Sequence, residues 1–183
     1  EKTLYIFCGD YLERGIENKE MIYEMMRLST LPNTIMLEGN HERHIANFAF
    51  NTNLEHSKRF MKEVVAPIVK DMTKKDVESL QRELRLFYKS LRQCYPFSFH
   101  GKKYLVSHGG LSYVPNMTFI ATSTFINGFG AYETDIAKIY DNNYEKGMCQ
   151  NFIQIHGHRG VPDGKYSFCL EGEVEFGGEL KYI

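Results

Sequence analysis

No stretch of the 183 residues approaches the ~18 to 20 uninterrupted apolar positions that a membrane-spanning helix requires. No basic flank with an apolar run behind it opens the chain, as a secretion signal would. The four cysteines, Cys8, Cys94, Cys149 and Cys169, stand far apart and form no C-x-x-C pair, which excludes a zinc ribbon, a dithiol redox motif and a disulfide-stapled mini-scaffold. Net charge is almost nil, with 22 Lys and Arg against 23 Asp and Glu, so no global field draws the chain to nucleic acid or membrane. Internal repeats and low-complexity linkers are missing as well. What remains, at 43% hydrophobic and 25% charged residues, reads as one globular domain with enough apolar material for a core. It is expected to be cytoplasmic, with reduced thiols and no membrane partner.

The charge is unevenly spread. Between Glu55 and Lys103 there are twelve Lys and Arg against six Asp and Glu, leaving ten against seventeen elsewhere. A run such as Lys58, Arg59, Lys62, Lys70, Lys74, Lys75, Arg82, Arg85, Lys89 and Arg92 is ordinarily a solvated helical face. Its functional reading is a contact surface for a polyanion backbone.

Apolar periodicity alternates with polar tips. Leu4 to Cys8 reads as a buried strand ending in Gly9-Asp10, and Met21, Ile22, Met25 and Leu28 recur at helical spacing until Pro32-Asn33. Thr34 to Leu37 is a second strand, running straight into Glu38, Gly39, Asn40, His41 and Glu42. The segment 45–94 is helical by period. Thr73 followed by Asp76 marks the start of a long helix, and Pro67 is expected to interrupt the one before it. Phe97 to Val106 reads as a hairpin about Gly101 that ends in Ser107, His108, Gly109 and Gly110. Residues 111–150 read as a loop-rich cap with a helix near Thr134 to Tyr140. Phe152 to Ile155 is a further strand, ending in His156, Gly157, His158 and Arg159. Tyr166 to Leu170 and Glu173 to Ile183 read as closing strands about the Gly177-Gly178 bend.

Four strands thus end in Asp10, Asn40-His41, His108 and His158, and carboxylate, amide and imidazoles together suit a hydrolytic transition-metal site. Alone, each is as readily a turn former, a cap or a core histidine. His41-Glu42-Arg43-His44 is not a zinc-protease helix, because one helical turn needs two residues between Glu and the second His. His44, His56 and His100 read as solvent or packing residues, and His156 as a core residue or a support for ligands. Arg159 is either a substrate contact or a structural arginine.

The series Gly9-Asp10-Tyr11-Leu12-Glu13-Arg14-Gly15, Gly39-Asn40-His41-Glu42, Ser107-His108-Gly109-Gly110 and His156-Gly157-His158 resembles the calcineurin-like metallophosphoesterase superfamily. Within it, the series is similar to the branch of Ser/Thr phosphoprotein phosphatases, phage-type phosphatases and the phosphatase domains of bacterial RNA-repair enzymes. The motifs come in family order and cover nearly the whole chain. The resemblance implies an α/β fold, a layered α/β/β/α sandwich, and hydrolysis of a phosphate ester by in-line attack of a hydroxide shared by two divalent metal ions, manganese first, with iron, zinc, nickel or magnesium as alternatives. It implies Asp10 as the bridging ligand, Asn40, His108 and His158 as further metal ligands, Arg14 as a phosphate clamp, and His41 as general acid oriented by Glu13. Glu13 stands where the family more usually has Asp.

The family also supplies an Asp-x-His pair from an earlier strand. With none before Leu4, the chain is expected to be an N-terminally incomplete metallophosphoesterase domain over 1–183, its first strand and helix lying upstream, with a helical insertion over 45–94 and the cap over 111–150. Glu171 aligns with an acidic residue of the RNA-repair relatives, ahead of Phe176-Gly177-Gly178, and is the remaining candidate ligand. The expected partner is a phosphorylated substrate: a nucleotide, a nucleic-acid end or a phosphoprotein. The alternatives are a non-catalytic remnant that binds without turnover, and a nucleic-acid binding protein that uses the basic face.

Overall fold

The computed structural model describes residues 3–183 and groups them into two compact units, residues 3–36 with Asn40–Leu91, and Leu37–Gly39 with Arg92–Ile183. The class is mixed α/β, with two sheets and helices.

In the first unit, β1 (Tyr5–Phe7) pairs in parallel with β2 (Thr34–Met36), Phe7 opposite Met36. The strand between Leu4 and Cys8 is half-buried, where a buried one was expected. Leu4 and Tyr5 are exposed, because β2 is the one strand paired with β1 among the described residues. Between the two strands, α1 (Asn18–Ser29) buries Ile22 and Met25, three positions apart on one helical face. After β2 comes α2 (Glu42–Phe50), which stops at Asn51, a left-handed residue (φ 54°) of the kind that ends helices.

Helical structure then continues as α3 (Lys58–Phe60), a π turn (Met61–Val65) and α4 (Ala66–Val69). The expected interruption at Pro67 does not occur. Pairing widens by one residue just ahead of the ring, which relieves the clash that an α-helix would force on the carbonyl four residues back. Finally α5 (Lys74–Ser90) starts at the Thr73–Asp76 capping box and buries Leu80, Leu84 and Phe87. These join Leu12, Met36, Ile45, Phe48, Phe60 and Val64 in one core.

The second unit holds a four-stranded sheet in the order β3-β4-β5-β6. β3 (Cys94–Phe99) and β4 (Lys102–Ser107) form the expected hairpin. Its turn, His100-Gly101, has φ of 47° and 75°, the doubly positive pair that matches strand twist. Next, α6 (Thr122–Asn127) and α7 (Ile136–Glu145) precede β5 (Phe152–His156) and β6 (Ser167–Cys169), both running parallel to β4. The helix expected near Thr134 starts two residues later, where Asp135 accepts from Lys138 N, and runs on to Glu145. Gln154, fully buried on β5, bonds the N and O of Leu111 and the hydroxyl of Ser167, and so ties the loop after β4 to β6.

The strands expected over Glu173 to Ile183 are absent. Val174–Phe176 form a single 3-10 turn between Glu173 (φ 51°) and Gly177 (φ 89°), and left-handed backbone at both ends cannot carry a ladder. Among the described residues no helix is long and apolar enough to cross a membrane, and all four cysteines are free thiols.

Candidate metal and phosphate centre

Asp10 lies three residues past β1, in a loop with unusual backbone geometry. Gly9 (φ 94°), Asp10 (56°), Glu13 (81°) and Arg14 (59°) all take the left-handed region, which three non-glycine residues hold only under outside constraint. Part of that constraint comes from Glu42, in the first turn of α2. Its wholly buried carboxylate accepts from Asp10 N (2.8 Å) and Tyr11 N (3.0 Å). Asn18 adds to it, accepting from Glu13 N (3.1 Å) and donating to Gly15 O (2.8 Å). Asp10 Oδ1 in turn accepts from His41 N (2.9 Å), which fastens the loop after β1 to the one after β2.

These bonds place two carboxylates beside His41. Its Nδ1 is hydrogen-bonded to Glu13 Oε2, and its Nε2 is 3.9 Å from Asp10 Oδ2. The hydrogen bond to Glu13 raises the affinity of His41 for its proton. Burial opposes this, the Asp10 and Glu13 charges add to it, and Arg14 works against it. Burial also pushes Glu13 up, but its bond to His41 and the positive charges of His41, His44 and Arg59 carry it below the usual carboxylate range. His41 is thus biased toward imidazolium and Glu13 toward carboxylate. That is the state a proton donor needs when a carboxylate orients its far nitrogen. Asn40 precedes His41 and is half-buried, and Arg14 is exposed.

The second unit brings His108 and His158 together. Parallel pairing of β4 and β5 sets Ser107 opposite His156, so the residues just past each strand emerge at one end of the sheet. His108 O accepts from Gly157 N (3.0 Å), and His108 Nε2 lies 3.2 Å from His158 Nδ1. His158 holds a left-handed φ of 68°. Behind them, a Cβ on Gly109 would collide with the backbone of Gly128, so only glycine fits after His108. Arg159 is structural: fully buried, it donates to the carbonyls of Ala131 (2.6 Å), Asn127 (3.2 Å) and Gly130 (3.2 Å). His156 is a core residue, its Nδ1 2.9 Å from Gly157 O, and burial lowers its affinity for a proton. Glu171 Oε1 accepts from Glu173 N (2.8 Å), a local bond within the C-terminal turn.

Two residues matter here that the sequence did not single out. Glu42 stood in the Gly39-Asn40-His41-Glu42 motif without a role of its own. His44, read as a packing residue, is buried with Nδ1 2.8 Å from Ser57 Oγ and its ring stacked on Phe60.

The family model for calcineurin-like phosphoesterases matches residues 1–180 of the chain. The chain belongs to the calcineurin-like phosphoesterase family. No curated protein matches it. The family binds two divalent metals, and the donor atoms suit such ions. Two nitrogens on one ion at about 2.1 Å lie roughly 3.0 to 3.4 Å apart for octahedral to tetrahedral angles. The 3.2 Å between His108 Nε2 and His158 Nδ1 falls within that range. In the first unit, a carboxylate at Asp10 and an amide at Asn40 are oxygen donors of the type such ions accept.

Proposed function

We propose that the protein is a metal-dependent phosphatase acting on phosphate esters, with His41 as the proton donor to the leaving oxygen. The observation that carries this reading is the His41–Glu13 pair beside Asp10: an imidazole whose proton affinity is raised by its hydrogen bond to a buried carboxylate, on the loop that also carries an arginine.

In this reading Asp10, Asn40, His108 and His158 hold the metal ions, with Glu171 as an additional ligand and manganese as the preferred metal. Bound divalent ions activate water at neutral pH and offset charge on the phosphoryl group. The chain's own residues do the rest. The Arg14 guanidinium pairs its planar fork of donors with two phosphoryl oxygens, neutralising charge as the bond to the leaving oxygen lengthens. His41 then gives its Nε2 proton to that oxygen, and Glu13 holds Nδ1–H throughout, so the ring neither rotates nor loses the wrong proton. Glu42 keeps Asp10 in place through the two backbone amides.

The basic residues between Lys58 and Arg92 favour a nucleotide or nucleic-acid end over a phosphoprotein as substrate. The test compares manganese-dependent hydrolysis of a nitrophenyl phosphate with that of an alkyl phosphate. The nitrophenolate leaves without help, whereas an alkoxide must be protonated. His41→Ala is therefore expected to lose about 10²- to 10⁴-fold on the alkyl ester and far less on the aryl one. Equal losses on both would remove His41 from the acid's role. No metal-dependent turnover with either ester would leave a binding module of the same fold.

A further inference from the structure

His44 has no part in the chemistry above, yet it completes a second group of ligands. One nitrogen of His41, one nitrogen of His44 and one carboxylate oxygen of Glu13 all lie within 4.8 Å of one another. The three come from two places, the Glu13 loop and the start of α2, and each is fixed by its own contacts. Glu13 is anchored through its backbone N on Asn18 (3.1 Å), and its side chain is only 5% exposed. His44 is 9% exposed, with Nδ1 against Ser57 Oγ (2.8 Å), and Asn47 Nδ2 donates to the same hydroxyl (2.9 Å). Its Nε2 has one long contact, 3.5 Å from Nε of the exposed Arg43. An imidazole with one nitrogen held by a neighbour and the other turned to a ligand is the usual state of a metal-binding histidine. The His41 side chain, 22% exposed, leaves a way in from solvent.

We propose that Glu13, His41 and His44 form a zinc-class cation site, separate from the catalytic metals, whose occupation takes His41 out of proton transfer. Two imidazoles and one carboxylate are the three-ligand set that zinc accepts with its fourth position left to water. For one and the same set of nitrogen and oxygen donors, zinc and nickel bind more tightly than manganese or magnesium, so they are the ions this group favours. The ion replaces the proton shared by His41 Nδ1 and Glu13, and that proton passes to solvent. His41, bound to the ion through Nδ1, keeps its Nε2 hydrogen as a neutral ring and is no longer an imidazolium acid. The same chain is then activated by manganese and silenced by excess zinc.

Only the loss of activity rests on the phosphatase reading; ion binding does not. The experiment counts zinc bound per chain after dialysis against a competing chromophoric chelator, in the wild type, His44→Asn and His44→Phe. Asparagine keeps a polar group near Ser57 but cannot reach the ion, and phenylalanine keeps the stack on Phe60. Wild type is expected to hold one zinc ion more than either variant. Where hydrolysis is measurable, the zinc concentration that halves manganese-supported alkyl-phosphate turnover is expected to rise at least tenfold in both variants. Equal zinc counts in all three proteins overturn the proposal, whatever the activity. If the chain hydrolyses nothing, the difference in count still stands and only the phosphatase reading falls.

Discussion

Glu42 is wholly buried, and its carboxylate serves two amides on the loop that bears Asp10. Changing it to glutamine removes the charge and turns an NH₂ toward an N–H donor. A charge-assisted bond lost in this way costs about 1.5 to 3 kcal/mol. Glu42→Gln is expected to unfold at correspondingly lower urea, and to bind manganese more weakly than wild type because the Asp10 backbone is no longer anchored. Unchanged midpoint and unchanged metal affinity would show that Glu42 anchors nothing.

The His41–Glu13 pair has a pH signature in the metal-free protein. The folded pKa of His41 is raised, so its contribution to stability is complete below the ordinary histidine value and is lost as pH rises through the raised one. That of Glu13 is lowered, so its contribution is complete above the ordinary glutamate value and is lost as pH falls through the lowered one. Stability from the pair is therefore greatest between the two ordinary values. By NMR titration of the His41 ring, Glu13→Gln is expected to move the His41 pKa downward. An unmoved titration would contradict the pairing. His41, Asp10 and Asn40 were legible as candidates because they end apolar runs. Glu42 and His44 were not, since what they do depends on partners 32 and 13 residues away that no local pattern reveals.

Among the elements, several with local causes match their sequence-based expectation, whereas the break expected at Pro67 does not occur. The Thr73–Asp76 capping box, the β3–β4 hairpin and the alternation of strand and polar tip each depend on a few neighbouring residues. Glu173-Val174-Glu175-Phe176 alternates polar and apolar just as a strand does, yet left-handed backbone at Glu173 and Gly177 turns it into a 3-10 turn. Alternation reports which side chains differ, not whether a neighbouring strand exists to pair with. At this scale, Thr73→Ala is expected to cost about 1 kcal/mol through the lost cap, measured by chemical denaturation. Gly109→Ala is expected to do its damage at His108, the proposed metal ligand beside it. A methyl group there meets the backbone of Gly128, and the displaced strand end carries His108 with it, so metal affinity is expected to fall well beyond any change in secondary structure by circular dichroism. Wild-type affinity in that variant would mean the close approach of the two glycines is not needed.

The whole chain builds two cores, one around Ile45, Leu84 and Phe87, the other around Leu105, Val114 and Tyr140, and each backs one set of polar loop residues. Membership of the calcineurin-like phosphoesterase family was legible from motif order alone, since four short motifs spread over nearly 150 residues are hard to produce by chance. The substrate was not, because it is set by surfaces that the motifs do not include. The proposed phosphatase chemistry rests on metal binding by Asp10, Asn40, His108 and His158. It is tested most directly by counting manganese bound per chain, after dialysis at fixed free metal, in the wild type and in Asp10→Asn, Asn40→Ala, His108→Ala and His158→Ala. Every one of the four is expected to lose manganese and aryl-phosphate hydrolysis together. Full manganese occupancy in any of the four variants, or a wild type that retains no manganese, would contradict it.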